Sequence, residues 1–413
     1  MTGILQGMRV VEGSAFVAVP LAGMTLAQMG AEVIRFDRIG GGLDAGRWPI
    51  APDGQSLFWA GLNKGKKSVA VDMKSPEGRE LISRIITAPG DDAGLFITNL
   101  RVRGWMDYET LSQQREDMVM VTLTGDRHGR PAVDYSVNPS LGVPAMTGPE
   151  GSDDPVAHVV PCWDLIAGNM VVSALMAAER QRLRGGGGQE VELALKDVAA
   201  AALGHLGMIG EAATTGQSRP KAGNALYGAY GQDFLCADGR RVMIIGLTDR
   251  QWTGIVKATD TGEAMDALAA RTGQNLRVEG ERWVLRDEIT AILKPWFAAR
   301  AVADFGDAFD KAGLTWSEFR TLDQALREDA DLSEANPMFT QMDHPGVGRY
   351  PVPGHPATFS SHARRAPEVA PALGQHTEEV LGDVAKLDDR EISALFDKGI
   401  VQSPDWCKSR SAA

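Results

Sequence analysis

The sequence predicts an α/β protein built on a parallel sheet, and three observations predict it. MRVVEG, Met8 to Gly13, is a short β-rich run, and GAEVIRFD, Gly30 to Asp37, is another. Between them PLAGMTLAQMG opens with Pro20, suited to a first helical turn, and stops at Gly30, a natural C-cap. Strand, helix and strand in that order imply a right-handed crossover and parallel pairing.

The alternation then continues along the chain. KSVAVDM reads as a strand, and SPEGRELISRII as a helix capped by Ser75 with Glu77 and Glu80 in its early turns. AGLFITNL and MVMVTLTG are further strands. After HVVPCWD comes an apolar helix to about Leu183, then GGGG at Gly185 to Gly188 and the strand-like QEVELAL. Four glycines suit either a ligand loop or a flexible connector. From Gly223 the pattern changes to GNALYGAYG, a strand pair with a hairpin turn at Asp238-Gly239, and charged amphipathic helices to about Glu328, a smaller α+β unit. The proline-rich HPGVGRYPVPGHPATF runs from His344 to Phe359, and PALGQHTEEVLGDV leads into a final helix.

Composition narrows the function. Of 413 residues, 44% are hydrophobic and 23% charged, as in ordinary globular proteins, and the longest apolar runs fall short of the roughly 18 residues of a membrane span. The N-terminus shows no basic region followed by an apolar stretch and cleavage site, so a cytoplasmic location is expected. Cys162, Cys236 and Cys407 lie far apart without a CxxC pair and read as reduced thiols, with no metal site indicated. A formal charge of −12 argues against nucleic-acid or anionic-membrane partners. A polyanion could still meet a local cluster such as NKGKKS, Asn63 to Ser68, which reads equally as a solvated basic turn.

Two acids stand out. Asp37, ending the second strand, occupies the place of a ribose-binding acid in dinucleotide folds, but GSAFVAVP lacks the glycines a pyrophosphate loop needs, which weighs against a nicotinamide or flavin enzyme. Asp164 stands where the apolar helix starts. It is either the helix N-cap, stabilising by about 1 kcal/mol, or a desolvated nucleophile. His158, six residues upstream, suits a structural place at a strand end better than an acid/base role.

Taken together, LQGMRVVEG with PLAGMTLAQMGAEVIRFDR, NKGKKSVAVDMKSPEGREL, Thr98-Asn99-Leu100, the Asp164 helix with RGGGGQEVEL, GNALYGAYGQDFLCADGRRV and PALGQHTEEVL resemble the family III CoA-transferases, in the family's order and over nearly the whole chain. The resemblance implies a Rossmann-like large domain built from both chain ends, a smaller domain between them, and an interlocked homodimer. On this chain that places the large domain at 1–200, a linker at 201–222, the small domain at 223–335, and a linker with the return to the large domain at 336–413.

It also implies an acyl-CoA substrate, no separate cofactor, and Asp164 as the nucleophile that attacks a thioester. Arg38, the segment Val71, Asp72, Met73 and Lys74, Asn99, Leu100 and Arg103 are the implied CoA contacts, although Arg38 and Lys74 could instead balance Asp37 and Asp72. Tyr135 is an implied pocket residue, and Tyr227 and Tyr230 fall in the family's glycine-rich loop or else in a core or hinge. Val17 and Ala18 stand in the turn where another branch carries polar side chains, which suggests a drier pocket. Arg47 suits a substrate carboxylate through its two-bond fork, or a surface salt bridge. Val133 before Asp134 stands where the family's racemases have a catalytic histidine, so that chemistry lacks its base. GGGLDAGRWP, SLFWAGLNKGKKS, the short NLRVRGW turn, AVDYSVNPSLG and HVVPCWD resemble a branch that moves CoA between the two carboxyls of one C5 diacid, mesaconate. Intermolecular transfer and simple acyl-CoA binding are the alternatives.

Overall fold

The structure is a computed structural model that describes residues 3–404. The expectation of a reduced thiol at Cys407 lies outside the described residues; Cys162 and Cys236 are free thiols. Two compact units are present. The first comprises the chain up to Leu141, Val159–Ile209 and the part from Ala330 onward; the second comprises Gly142–His158 and Gly210–Asp329.

The first unit is built on β1 (Arg9–Gly13), β2 (Glu32–Arg38), β3 (Lys67–Val71), β4 (Leu95–Thr98), β5 (Val119–Thr124) and β6 (Gln189–Ala194). All six are parallel, in the order β3-β2-β1-β4-β5-β6. The short strand Val401–Gln402 adds antiparallel to β3 through Val71 and Ala70, so the C-terminal part of the chain closes one edge. β1 to β5 are buried at nearly every position, as strands covered on both faces are, whereas β6 at the edge alternates partly buried and exposed residues. Val10, Ile34, Val69, Leu95 and Val119 are fully buried.

The helix Ala18–Gln28 follows β1, and Gly30 takes a φ of +106°, the left-handed conformation its place after the helix requires. Ser75 caps the helix Pro76–Ile86 by accepting from the Gly78 amide. The long helix Cys162–Gln181 packs on Ala18–Gln28, and Gly168 permits the approach: a Cβ there would lie 2.6 Å from the Ala18 carbonyl oxygen. At its far end the four glycines form a tight turn into β6. Gly188 passes so close to the Met118 carbonyl oxygen that a Cβ would stand 2.4 Å away, which makes the run a packed connector.

Several boundaries differ from expectation. The expected linker 201–222 holds the end of the helix Leu195–His205 and all of the helix Met208–Thr215. Gly142–His158 groups with the second unit although it precedes Asp164 in the chain. The proline-rich tract forms half of an antiparallel hairpin, Gly348–Pro353 against Phe339–His344, because alternate edge positions tolerate a residue without an amide hydrogen. Two helices, Thr377–Asp383 and Asp389–Asp397, follow in place of one.

The second unit carries an antiparallel three-stranded sheet, β7 (Tyr230–Leu235), β8 (Arg241–Gly246) and β9 (Thr315–Glu318). Its own core joins Tyr230, Phe234, Trp252, Ile289, Phe297, Phe305 and Phe309.

Candidate functional site

In an open parallel sheet, ligands bind outside the carboxyl ends of the strands where the strand order reverses. Here the chain passes outward from β1 to β2 and β3, then returns to the other side of β1 with β4. The turn after β1 is therefore the place to look. Asn99, just past β4, fastens it: the Ala15 amide donates to Asn99 Oδ1 (2.9 Å), and Asn99 Nδ2 donates to the Ala15 carbonyl (2.8 Å). Thr98 Oγ1 donates to the Gly13 carbonyl (2.7 Å) and accepts from the Leu100 amide (3.0 Å). Held at both ends, Phe16 adopts a φ of +65°, costly for a residue with a side chain and common at ligand sites.

Beneath this turn lies a buried charge network. Arg35, 1% exposed, grips Asp37 with two bonds (2.9 and 3.0 Å), reaches Asp44 (2.7 Å) and Asn63 (3.0 Å), and donates to the Ser14 carbonyl (3.2 Å). Lys66 donates to Glu12 (2.9 Å), Asn63 (3.0 Å) and the Pro20 carbonyl (2.8 Å). Asp37 thus serves a structural pair. The NKGKKS stretch is neither a solvated turn nor a polyanion site: Lys64 and Lys66 are buried, and Lys67 bridges Glu32 and Glu379. Burial lowers the Lys64 ammonium to about 8.

Asp164 reaches the same edge by a different route. Arg182, just past the long helix, donates to the Ala93 carbonyl (2.8 Å) and to Asp117 Oδ2 (3.0 Å), immediately ahead of β4 and β5. The helix therefore ends at the amino edge of the sheet and begins at the carboxyl edge. Asp164 is its third residue, one turn before Gly168, which touches the first turn of Ala18–Gln28. It is not the N-cap. That position falls to Pro161, and the capping is done by Asp134, whose Oδ2 accepts from the Trp163 amide (2.7 Å) and the Asp164 amide (3.3 Å). The Asp164 side chain takes no hydrogen bond among the described residues. Burial, and then the charge of Asp134, push its carboxyl up to about 7.

The other expected residues are distributed along the same carboxyl edge. Val17 and Ala18 are buried at the start of the first helix. Arg38 ends β2, opposite Val71 at the end of β3; its Nε donates to the Gly41 carbonyl (2.6 Å), so it does not balance Asp37. Asp72 Oδ1 accepts from the Lys74 backbone amide (3.0 Å), Met73 packs against the core, and the Lys74 ammonium is exposed with no ion pair among the described residues. Arg103 and Tyr135 are exposed. Arg47 makes no ion pair with a carboxylate among the described residues; its guanidinium lies over the rings of Phe16 (5.3 Å) and Phe58 (5.2 Å).

Other expectations meet different outcomes. The polar groups of Asn99 and the Leu100 amide are already spent on the turn. His158 lies in an irregular stretch of the second unit, not at a strand end. Tyr230 is fully buried against Trp252 and bonded to Thr290 (3.0 Å), a core residue; Tyr227 pairs with Glu211 under the Arg219 guanidinium. The sequence reading missed the capping role of Asp134 and the Glu12–Arg35–Lys66 network. The signal for the network was present: charged residues inside otherwise apolar central strands must be paired. No group of three or more potential metal ligands occurs among the described residues, and no helix among them is long and apolar enough to cross a membrane.

Comparison with known proteins places the chain in a family. The chain is 53% identical over 406 residues to 2-methylfumaryl-CoA isomerase of Chloroflexus aurantiacus, covering 98% of this chain and 99% of that protein. It is 29% identical to human succinyl-CoA:glutarate CoA-transferase, covering 96% and 90%. Among solved structures, a CAIB/BAIF family protein from Brucella suis superposes with a TM-score of 0.75 at 24% identity, over 93% of this chain and all of that one. The family model for CoA-transferase family III matches residues 5–377. The chain is an enzyme of CoA-transferase family III.

Proposed function

We propose that the protein moves CoA between the C1 and C4 carboxyls of mesaconate, converting 2-methylfumaryl-CoA to 3-methylfumaryl-CoA within one active site. The observation that carries the chemistry is the Asp164 carboxyl, half-buried at the carboxyl edge and unspent on any hydrogen bond among the described residues. The 53% identity to the Chloroflexus isomerase supports the choice of substrate.

In the proposed cycle the Asp164 carboxylate attacks the C1 thioester carbonyl, the C–S bond breaks, and CoA thiolate leaves a mixed anhydride. The thiolate then attacks the aspartyl carbonyl and expels mesaconate, leaving an aspartyl-CoA thioester. The diacid turns, and its C4 carboxylate attacks that thioester and releases the thiolate again. Thiolate attack on the C4 acyl carbon frees Asp164. Each step exchanges one acyl bond for another with no net proton, so the cycle as written calls for no separate cofactor. A captive diacid presents its second carboxylate at an effective concentration that outside acids cannot match.

Arg38, Lys74 and Arg103 are the proposed cations for the CoA phosphates, with the Val71–Lys74 turn and Asn99–Leu100 shaping that side. Arg47 is the proposed partner of the free carboxylate, because an unpaired guanidinium fits a carboxylate with two bonds. Val17, Ala18 and Tyr135 are proposed to line the acyl pocket, and a second copy of the chain to complete a homodimer.

The test is conversion of mesaconyl-C1-CoA followed by chromatographic separation of the two regioisomers, run with isotope-labelled free mesaconate present. Conversion without label in the product supports the reading. Label incorporated at every turnover replaces it with intermolecular transfer, the second reading, which the likeness to the human transferase favours. No turnover and no covalent adduct on Asp164 would leave an acyl-CoA-binding protein.

A further inference from the structure

We infer that Asp134 is a positioning residue for Asp164: it caps the Asp164 helix from a neighbouring helix and sets a like charge beside it, so the Asp164 carboxylate is neither spent on the terminal amides nor stabilised by its surroundings. The inference rests on the reading that Asp164 is the nucleophile.

An acid in the first turn of a helix ordinarily reaches back to the free amides there, and the helix field favours its charged form. Asp164 occupies such a position in a helix of 20 residues. Yet the Trp163 and Asp164 amides are already taken by Asp134, which is fully buried at the start of the helix Asp134–Ser140. The two helices are fastened a second time where Trp163 Nε1 donates to Asn138 Oδ1 (3.2 Å). A carboxylate denied hydrogen bonds keeps its lone pairs available and its basicity high, and both favour attack on a carbonyl carbon. Asp134 thereby saturates the donors that would otherwise quench the nucleophile.

The charged surroundings of Asp164 support this assignment. The helix Ala18–Gln28 and the turn Ser14–Val17 carry no ionisable side chain. The helix Asp134–Ser140 contributes Asp134 and Tyr135, and the first turn of the Asp164 helix contributes Cys162. Asp134 is the neighbour whose charge acts on Asp164, and it acts to hold the proton on. His158 lies four residues ahead of the helix in the chain. A His158→Gln background therefore serves as a control.

The experiment compares wild type, Asp134→Asn and Asn138→Ala, reading the Asp164 carboxyl by 13C NMR titration and kcat/KM against pH. Asparagine keeps an acceptor for the amides and removes the charge, so the fold stays capped. The Asp164 titration should fall by about one pH unit, the acid limb of kcat/KM should move with it, and the plateau above pH 8 should drop several-fold. Asn138→Ala loosens the same helix pair without changing charge and should leave the titration in place. An unmoved titration in Asp134→Asn, or an equal shift in Asn138→Ala, overturns the inference. A shifted titration with turnover unchanged would uphold the coupling and instead refute Asp164 as the nucleophile, so the two failures are distinguishable.

Discussion

Two groups of carboxylates stand around the turn after β1, and they are treated in opposite ways. Glu12, Asp37 and Asp44 lie beneath it with Arg35, Lys66 and Asn63, in an arrangement where the cations are bonded to several partners each. Asp164 stands at the same edge with burial and a like charge for company and no bond to its side chain among the described residues. The first arrangement recovers the cost of desolvation through pairing and holds the Ser14 carbonyl and the helix start in place. The second leaves that cost unrecovered, so the carboxylate is held at high energy in the resting protein and lowers it by forming a covalent bond. The difference separates a charge that builds the site from a charge that reacts in it.

The sharpest way to break this contrast is to remove the unbonded charge. Asp164→Asn should keep the fold and lose turnover by at least about 1,000-fold, because the amide keeps the shape and loses the nucleophile. The same substitution should stabilise the protein at pH 8. A carboxyl raised in the folded state holds its proton more tightly than in the unfolded chain, so its contribution is fully present below the unfolded pKa and is lost as pH rises through about 7. Denaturant melts at pH 5 and pH 8 would show the larger gain at the higher pH, because at pH 5 the loss is only partly complete. In the wild type kcat/KM should climb as pH rises through about 7, since only the ionised form attacks. An Asn variant near the wild-type rate, with deamidation excluded by mass spectrometry, would refute the mechanism.

Removing a paired charge should do the reverse. Arg35→Met strands Asp37 and Asp44 in the interior and should cost about 3–5 kcal/mol of stability, read as a lower urea midpoint, with activity lost through unfolding and regained by the fraction that remains folded. A change below about 1 kcal/mol would mean that water reaches the network and that it is not the foundation assigned to it.

How far the sequence disclosed these two groups follows from what each depends on. The parallel sheet was legible because β1 to β5 are apolar runs separated by helices whose ends are marked locally, by Pro20 and Gly30 around the first and by Ser75 before the helix Pro76–Ile86, and such local patterns survive folding. The family motifs located Asp164, but its local context suggested a cap, since an acid before an apolar helix commonly is one. Only the fold brings Asp134 from 30 residues away to take that role, and no local pattern announces a cap supplied by another helix. Likewise the lysines of NKGKKS read equally as a polyanion cluster or a solvated turn, because neighbouring charges are usually exposed. Lys66 is buried because β1 puts Glu12 into the interior, where the lysine donates to it, and Lys64 is buried beside it with its ammonium on the Gly61 carbonyl. The Asn99 lock on Ala15 joins residues 84 apart and was equally hidden.

A third comparison concerns exposed cations that make no ion pair among the described residues. Arg47→Lys keeps the charge but loses the planar fork and the stacking on Phe16 and Phe58. The proposal predicts a rise of about 10-fold in KM for a dicarboxylic acyl-CoA and almost none for a monocarboxylic analogue of equal length. Equal losses for both esters would assign Arg47 to the shape of the Phe16 turn instead of to the substrate's free carboxylate.

Lys74→Ala should have the smallest effect and tests the other end of the substrate. Lys74 is exposed on the turn after β3, its backbone amide held by Asp72 while its ammonium makes no ion pair among the described residues. A contact with a CoA phosphate at that distance from the thioester would be the same in the ground state and the transition state, so losing it should raise KM and spare kcat. The screened, solvent-facing geometry limits the effect to about 3- to 10-fold, and added salt should shrink the difference between variant and wild type, because ions compete for an exposed contact. Measuring both constants at low and high ionic strength decides the matter. A fall in kcat with KM unchanged would place Lys74 beside the reacting carbonyl and would require the CoA to lie along this edge in the opposite direction.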